Sequence, residues 1–376
     1  MKALVIGAGI GGLAAARGLL AAGHDVEVFE KAPTLRTSGA AFTLWSNGTG
    51  ILKELAVDLD DLGAGVDYLE QRDSNGRVML SIHVGHAVRR YGHPNISLPR
   101  RRLIERLATE LPEGTLSFGR SAATITQDPG GVRVEFEDGE AATGDVLVGA
   151  DGHHSAVRTH LWGGDPTEPS GWTTWQGLSP VDTEVTRGRT GLMIQGPEGL
   201  CGLMPAGAGL LQWWFDFRWK PGDVEPAAPI QELRRRFGHW TAPPVPELLT
   251  AVKDEEVEFF PHYGHRIPRT WGKGRITLAG DAAHTMPPTQ AQGANQALED
   301  AWALVQVLRN KPADVPEALR RYERARSKRA SLIARVAGTE ITDKYFPAIS
   351  RLVPNAIMGP AYTRWLRQIS NYLSSS

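Results

Sequence analysis

The chain has 376 residues, 41% of them apolar and 22% charged, which is enough apolar matter for about two or three packed units and too much for a disordered chain. Lys and Arg total 41 against 42 Asp and Glu, so the formal net charge of -1 offers no general basic field for nucleic acid or an anionic membrane. The single cysteine, Cys201, excludes an internal disulfide and a cysteine-cluster metal site, and the expected location is cytoplasmic.

In chain order, residues 2–6 read as a short buried strand, a helix runs through Ala22, and residues 25–29 read as a second strand, a βαβ opening. A secretory leader built from Lys2 and the run Ala3 to Ala16 fails as a reading. One charge makes a poor leader head, and four glycines break the run. No stretch of about 18 uninterrupted apolar residues occurs, so no membrane-spanning helix is expected. Residues 103–111 look helical. Residues 131–138 alternate, with Val132, Val134 and Phe136 on one face, and read as a half-buried strand ending in the turn Asp138-Gly139, with a hairpin partner near 140–148.

Between about 172 and 262 the texture changes to aromatics, alternating runs such as Leu210 to Phe217, and Pro-rich breaks at Pro226 to Pro229 and Pro243 to Pro246, which predicts an antiparallel sheet layer. A strand at 275–279 restores the first texture and leads into a helix over 293–308, so the first domain is discontinuous. The helix expected over 317–336 carries seven basic residues, among them Arg320, Arg321, Arg324 and Lys328, and reads as a solvated face rather than a nucleic-acid contact. The expected division is 1–70 with 97–170 and 270–340 as the first domain, 71–96 with 171–269 as the second, and 341–376 as a C-terminal helical segment.

Three motifs carry chemistry. Gly7-Ala8-Gly9-Ile10-Gly11-Gly12 follows a strand and opens a helix. Gly7 permits the tight turn, Gly9 lets a pyrophosphate approach the backbone, Gly12 lets helix and strand pack closely, and the helix start offers free N–H groups to an anion. Glu30 stands 18 residues beyond Gly12, where a carboxylate can accept from ribose hydroxyls. Alone, this motif does not separate NAD from FAD. The second is Gly149-Ala150-Asp151-Gly152-His153-His154-Ser155-Ala156-Val157-Arg158, and the third Gly274-Arg275-Ile276-Thr277-Leu278-Ala279-Gly280-Asp281-Ala282-Ala283-His284. Each puts a carboxylate beside a glycine at the C-terminal edge of a strand, where open α/β sheets bind ligands; each taken separately also suits a turn or a helix N-cap.

In this order the three motifs resemble the group A FAD-dependent aromatic-type monooxygenases, the para-hydroxybenzoate hydroxylase-like family, over nearly the whole chain. The resemblance implies an α/β (α+β) fold: an FAD-binding Rossmann-like βαβ domain of the glutathione-reductase type, a second mixed or antiparallel β-sheet substrate domain, and C-terminal helices. It implies that the first motif (Gly7, Gly9, Ile10, Gly11, Gly12) with Glu30 and Lys31 holds the ADP part of FAD. Gly280 and Asp281 would meet the ribityl chain, and Asp151 would serve FAD and a passing NAD(P)H. Pro99 to Leu107 resembles the family's R-x-x-L-x-x-x-L, with Arg100 as the match to the arginine near FAD and Arg101 and Arg102 as neighbours that leave the choice open. Arg36, before Gly39-Ala40, matches another position near the cofactor. Thr285 to Asn295 resembles the loop and helix start at which Gly293, Ala294 and Asn295 would face the flavin's N1 and C2 carbonyl, stabilising the negative charge that develops on reduction. Ala291 departs from the glycine common in that loop, and Gln176 from the arginine common after tryptophan.

The chemistry the resemblance implies is a flavin C4a-hydroperoxide, formed with NADPH or NADH as transient electron donor and O2 as co-substrate, that hydroxylates or epoxidises a small aromatic or polycyclic molecule. No Ser-His-Asp triad is needed. His284 reads as structural, and the adjacent His153 and His154 do not form a metal pair. Pro288 is the expected substrate-side residue, while Trp175, Trp213 and Trp214 are pocket candidates, of which Trp214 faces opposite to Trp213. The rival readings are an FAD-dependent reductase or oxidase on the same scaffold and a flavoprotein that sequesters its ligand. No nucleic-acid partner, membrane span or metal is expected, and the chain is read as a monomer or homodimer.

Overall fold

The computed structural model describes residues 1–36, 39–220, 222–340 and 355–375. A five-stranded parallel sheet forms its central layer, in the spatial order Ile276–Leu278, Val146–Gly149, Lys2–Ile6, Asp25–Glu30, Leu116–Phe118. Ala3, Leu4 and Val5 and, beside them, Val146, Leu147 and Val148 are fully buried, because packed layers cover both faces and leave no side for polar residues. The helix Ile10–Ala21 lies against the helix Gly293–Leu308, and only glycine fits at the contact: a Cβ on Gly18 would stand 2.7 Å from a Val305 methyl.

The strand Val132–Phe136 alternates as its pattern predicts, with Val132, Val134 and Phe136 buried and Arg133 and Glu135 exposed. Residues 140–148, however, are not a single hairpin partner. Ala141–Gly144 pairs antiparallel with Val132–Phe136, whereas Val146–Gly149 crosses to the central sheet and runs parallel to Lys2–Ile6. The reason is compositional: an unbroken apolar run suits a strand covered on both faces better than an edge. Asp145 marks the crossing, its carboxylate accepting the Lys2 N–H at 2.6 Å.

The second large layer is a seven-stranded sheet, ordered Glu258–Gly264, Glu168–Ser179, Leu211–Arg218, Gly199–Pro205, Thr190–Gly196, Tyr68–Asp73, Val78–His83. Every neighbouring pair is antiparallel except Thr190–Gly196 with Tyr68–Asp73. That exception makes the sheet mixed, and the strand beginning at Tyr68 straddles the expected boundary at 71. One face of the sheet is covered by two helices, Pro229–Phe237 and Val245–Ala251, which begin at the ends of the Pro-rich stretches 226–229 and 243–246 expected as breaks. In both, proline occupies the first turn, where its missing N–H costs nothing, so these prolines start helices rather than interrupt chain. A small sheet of Ala41–Leu44, Ile96–Pro99 and Ala64–Gly65 bridges the layers. Ser97 Oγ donates to Gln212 Oε1 at 3.2 Å, and Gln212 Nε2 donates to the Ala41 carbonyl at 2.8 Å.

The helix Arg100–Ala108 begins three residues before the expected start, and the C-terminal region supplies the helices Asn355–Ile369 and Tyr372–Ser375; residues 341–354 of the expected C-terminal segment lie outside the described residues. The basic helix Val315–Ala337 is not simply a solvated face. Arg321, Arg324 and Lys328 are exposed, but Arg326 is fully buried, with its Nε donating to Asp300 Oδ1 at 2.6 Å and its Nη2 to Gln296 Oε1 at 2.6 Å. Glu299, beside Asp300 on the helix Gly293–Leu308, is also fully buried, 3.7 Å from Arg326. Burial alone would raise the Asp300 carboxyl, but His284 and Arg326 outweigh it and hold it below its ordinary value.

Removing the one cation among these groups leaves two carboxylates stranded out of water. Arg326→Met is expected to cost about 3–5 kcal/mol of stability in urea unfolding. Arg324→Met, which breaks an exposed pair with Glu317, should cost less than about 1 kcal/mol in the same assay.

Candidate functional site

The three motifs converge at the C-terminal edge of the central sheet. Gly7 adopts φ +105°, and a Cβ there would stand 2.4 Å from the Ala150 carbonyl oxygen, so the first turn is pressed against the second motif. Ala297 touches the first and third motifs: its Cβ lies 3.3 Å from the Cβ position of Gly11 and 3.3 Å from that of Gly280. The second and third motifs are joined by Arg158, fully buried, whose Nη1 donates to the carbonyls of Asp281 at 3.1 Å and Ala282 at 3.0 Å and whose Nη2 donates to Asp165 at 2.7 Å. Burial opposes ionisation of the Asp165 carboxyl, but the bonds from Thr167 and Arg158 win and bring it to about 2.

Within the first motif the glycines divide by what surrounds them. A Cβ on Gly12 would fall 2.0 Å from the Gly7 carbonyl oxygen, whereas around the Cβ position of Gly9 no described residue other than its chain neighbours comes within 4 Å. Gly9 is the N-cap of Ile10–Ala21 with no side-chain cap, and no acidic residue lies in the first turn, so N–H groups there are left for an anion. Glu30, buried, accepts the N–H of Ala8 and of Ala32, each at 2.9 Å, which fixes its carboxylate at the turn with acceptor capacity remaining. Lys31 and Arg36 are exposed.

Asp151 and Asp281 differ in position. The half-buried Asp151 accepts from Ser155 Oγ at 2.5 Å and from the N–H groups of Ala156 and Val157, so in this structure it caps the helix Ala156–Trp162; desolvation pushes its carboxyl up in spite of those bonds. Asp281 is exposed, and no protein donor among the described residues reaches its carboxylate. His284 is fully buried, with Nε2 2.5 Å from Asp300 Oδ2 and its ring edge-on to Trp271. Asp300 Oδ2 also accepts the Gly280 N–H at 2.8 Å, so His284 and Gly280 share one anchor.

The three consecutive arginines separate. Arg101 pairs with Glu105 on the surface and Arg102 donates to the Asp61 carbonyl. Arg100 packs its side chain where a Cβ of Gly39 would be, 2.7 Å from its Cδ, and its buried Nε has no protein partner among the described residues. The loop before the helix Gly293–Leu308 is braced by the side chain of Asn295, which accepts the Trp45 N–H at 2.9 Å and donates to Thr43 and Ala291 carbonyls at 3.0 and 3.1 Å. Trp45 Nε1 donates to the same Ala291 carbonyl at 3.1 Å. Ala291 has φ +47°, a left-handed backbone that glycine adopts without penalty, which accounts for the glycine common in that loop, while alanine here carries a conformational cost. Gly293 leaves open space at its Cβ position, and the helix it begins, 16 residues long, has no side-chain cap. The unpartnered Arg100 Nε, the open positions at Gly9 and Gly293, and the free Asp281 carboxylate fit an elongated dinucleotide laid across this edge.

The sheet opposite has two distinct faces. Trp175 and Trp213 are completely buried among Phe215, Phe217, Phe237 and Trp240 on the helix-covered face, so packing replaces the pocket role expected of them. Trp214 is half-buried on the other face with Gln212 and Asp216, the face that reaches the central domain through Gln212. Gln176 and Glu258 lie beside Trp214 in register, and Glu258 Oε1 accepts the Gly39 N–H at 3.0 Å. Pro288 lies in the turn Pro288–Gln290 of the braced loop.

On this face lies a buried polar chain that sequence reading missed. Thr174 Oγ1 donates to Asp216 Oδ1 at 2.5 Å and is 2.7 Å from His262 Nε2, and His262 Nδ1 is 3.2 Å from Glu340. Burial pushes the Asp216 carboxyl up to about 6, against the pull of His262 and of the bonds from Thr174 and Trp214, with Glu340 adding to the rise.

The chain matches the family described as "FAD binding domain" over residues 1–337. It is 32% identical over 334 residues to an FAD-dependent urate hydroxylase of Klebsiella pneumoniae subsp. pneumoniae, covering 88% of this chain and 86% of that one. It is 34% identical, with the same coverage, to an aurachin C monooxygenase/isomerase of Stigmatella aurantiaca. Among solved structures, Klebsiella pneumoniae HpxO complexed with FAD and uric acid superposes with a TM-score of 0.84 at 30% identity, over 98% of this chain and 93% of that one.

Because the folded-state value of Asp216 lies above the ordinary 3.8, its contribution to stability is complete below that value and is lost as pH rises through about 6. The wild-type protein is therefore expected to lose up to about 3 kcal/mol relative to Asp216→Asn between about pH 4 and pH 7, in urea titrations at each pH. Parallel pH profiles for the two proteins would show that the buried carboxyl does not titrate in this range.

Proposed function

The chain belongs to the FAD binding domain family, and from that membership we propose that it is an FAD-dependent, NAD(P)H-consuming monooxygenase that hydroxylates or epoxidises a small aromatic molecule. The convergence of three turns from distant parts of the chain onto one sheet edge, with open positions where a dinucleotide would lie, carries the reading. Bound FAD supplies the redox chemistry and the activation of dioxygen, for which side chains have no equivalent. The protein's part is to hold, orient and exclude water.

In this reading the N–H groups beginning the helix Ile10–Ala21 take the pyrophosphate, Glu30 the ribose of the adenosine, and Asp281 the ribityl hydroxyls. Arg100 turns its unpartnered Nε toward the cofactor. The uncapped N–H groups of Gly293, Ala294 and Asn295 stabilise negative charge on the flavin ring, and because the loop is already braced through Asn295 and Trp45, little reorganisation is needed when the charge appears. Asp151 acts mainly by holding the second turn in place. The substrate lies between Pro288 and the sheet face of Trp214 and Gln176, where an indole ring suits an aromatic partner. The electron donor binds transiently.

The purified protein should be yellow and should consume NAD(P)H when given a substrate; one atom of labelled dioxygen should then appear in the product. Turnover without incorporation would identify a reductase or oxidase, and tight binding without turnover a sequestering protein. The cofactor's placement has its own check. Gly9→Ala should leave the melting temperature of the FAD-free protein unchanged while weakening FAD retention at least tenfold, because the added methyl meets ligand and not protein; Gly12→Ala should instead destabilise the fold itself.

A further inference from the structure

On the far side of the tail helix Asn355–Ile369 from Tyr362 and Trp45 is a cavity of about 460 Å³, lined by Arg329, Arg364, Arg367, Gln368 and Ser374. Among the described residues no acidic one lines it. The two arginines that are fully buried among the described residues, Arg158 and Arg326, each lie within 4 Å of a carboxylate. Arg329, Arg364 and Arg367 have no carboxylate partner among the described residues.

The wall is also preorganised. Arg329 is half-buried on the helix Val315–Ala337, and its Nη1 is held by the carbonyls of Arg367 at 3.1 Å and Gln368 at 3.0 Å and by Ser374 Oγ at 3.1 Å. Those bonds tie the guanidinium to the end of the tail helix and leave its Nε and Nη2 without a protein partner among the described residues. Burial holds Arg329 below its ordinary value, with Arg326 adding to the fall and Glu299 pulling against it. Arg364 and Arg367 are exposed and free to close on an incoming group.

We propose that this cavity is a second ligand site, separate from the dinucleotide edge, that takes a compact phosphate-bearing anion. Guanidinium forks match phosphate oxygens two at a time, and three forks with an amide and a hydroxyl suit a group carrying several anionic oxygens better than a lone carboxylate. The volume exceeds that needed by one phosphate and accommodates a pyrophosphate or the phosphate end of a nucleotide. The inference does not depend on the catalytic reading above.

The test uses the full chain loaded with FAD, so that the dinucleotide edge is filled, and titrates sodium pyrophosphate calorimetrically at low salt. One saturable site is expected, weakened at least tenfold in the double variant Arg364→Gln/Arg367→Gln, with FAD content and oligomeric state unchanged. Arg364→Lys/Arg367→Lys, which keeps the charges and loses the forks, should fall between the two and covers the case in which the glutamine variant folds poorly. Parallel titrations with 2′,5′-ADP and 5′-AMP identify the source: competition by either places the phosphate on a nucleotide, and binding of pyrophosphate alone places it on a smaller anion. No saturable binding of pyrophosphate to the wild type, or equal affinity in the glutamine variant, overturns the proposal.

Discussion

The candidate site depends on one buried ion cluster, Glu299 and Asp300 with Arg326. Asp300 holds the Gly280 N–H and His284, which fixes the turn that presents Asp281. Glu299 accepts the N–H groups of Asn371 and Tyr372 at 2.9 and 3.1 Å, securing the C-terminal helices, and lies 3.4 Å from Asn47 Nδ2 on the helix Ser46–Glu54. Two adjacent side chains on one helix thus set the relative positions of four parts of the molecule. Such a cluster contributes little net stability compared with a well-packed apolar equivalent, because its charges are desolvated. What it does supply is direction, since each bond tolerates only one geometry.

How much of this was legible in the sequence depended on whether the signal was local. The strands Lys2–Ile6, Asp25–Glu30 and Ile276–Leu278, the glycine-rich turn and the helix over 293–308 are written in contiguous residues, and the structure has them within a residue or two. The helices Pro229–Phe237 and Val245–Ala251 were hidden because proline reads as a breaker unless the helix start is already known. The crossing at Asp145 was hidden because a hairpin and a crossover have the same local pattern. Arg326 was indistinguishable from its exposed neighbours, as its partners lie 26 residues away. One signal was available: Glu299 and Asp300 are the only charged residues of the helix Gly293–Leu308, and two consecutive acids that its packing buries demand a cation from elsewhere in the fold.

The site residues divide the same way. Motif spacing could single out Arg100, but only the structure shows why: Arg101 and Arg102 already have partners on the surface and Arg100 Nε does not. The alternation at Trp213, Trp214 and Phe215 fixed that Trp214 faces away from its neighbours, while the covering helices, unseen in the sequence, decide which face is core. The chain from Asp216 through Thr174 and His262 to Glu340 joins three strands and the end of a helix, so no single segment displays it.

The bond from the Gly39 amide to the Glu258 carboxylate has a consequence for recombining such proteins. Gly39 belongs to the nucleotide half of the molecule, yet its amide is held by a carboxylate on the edge strand of the opposite sheet. A chimera that imported a relative's sheet without an acceptor at 258 would strand that amide. The grafted half would then change how Gly39 is held as well as the shape of the pocket, so the two halves are not interchangeable modules unless this contact travels with the graft.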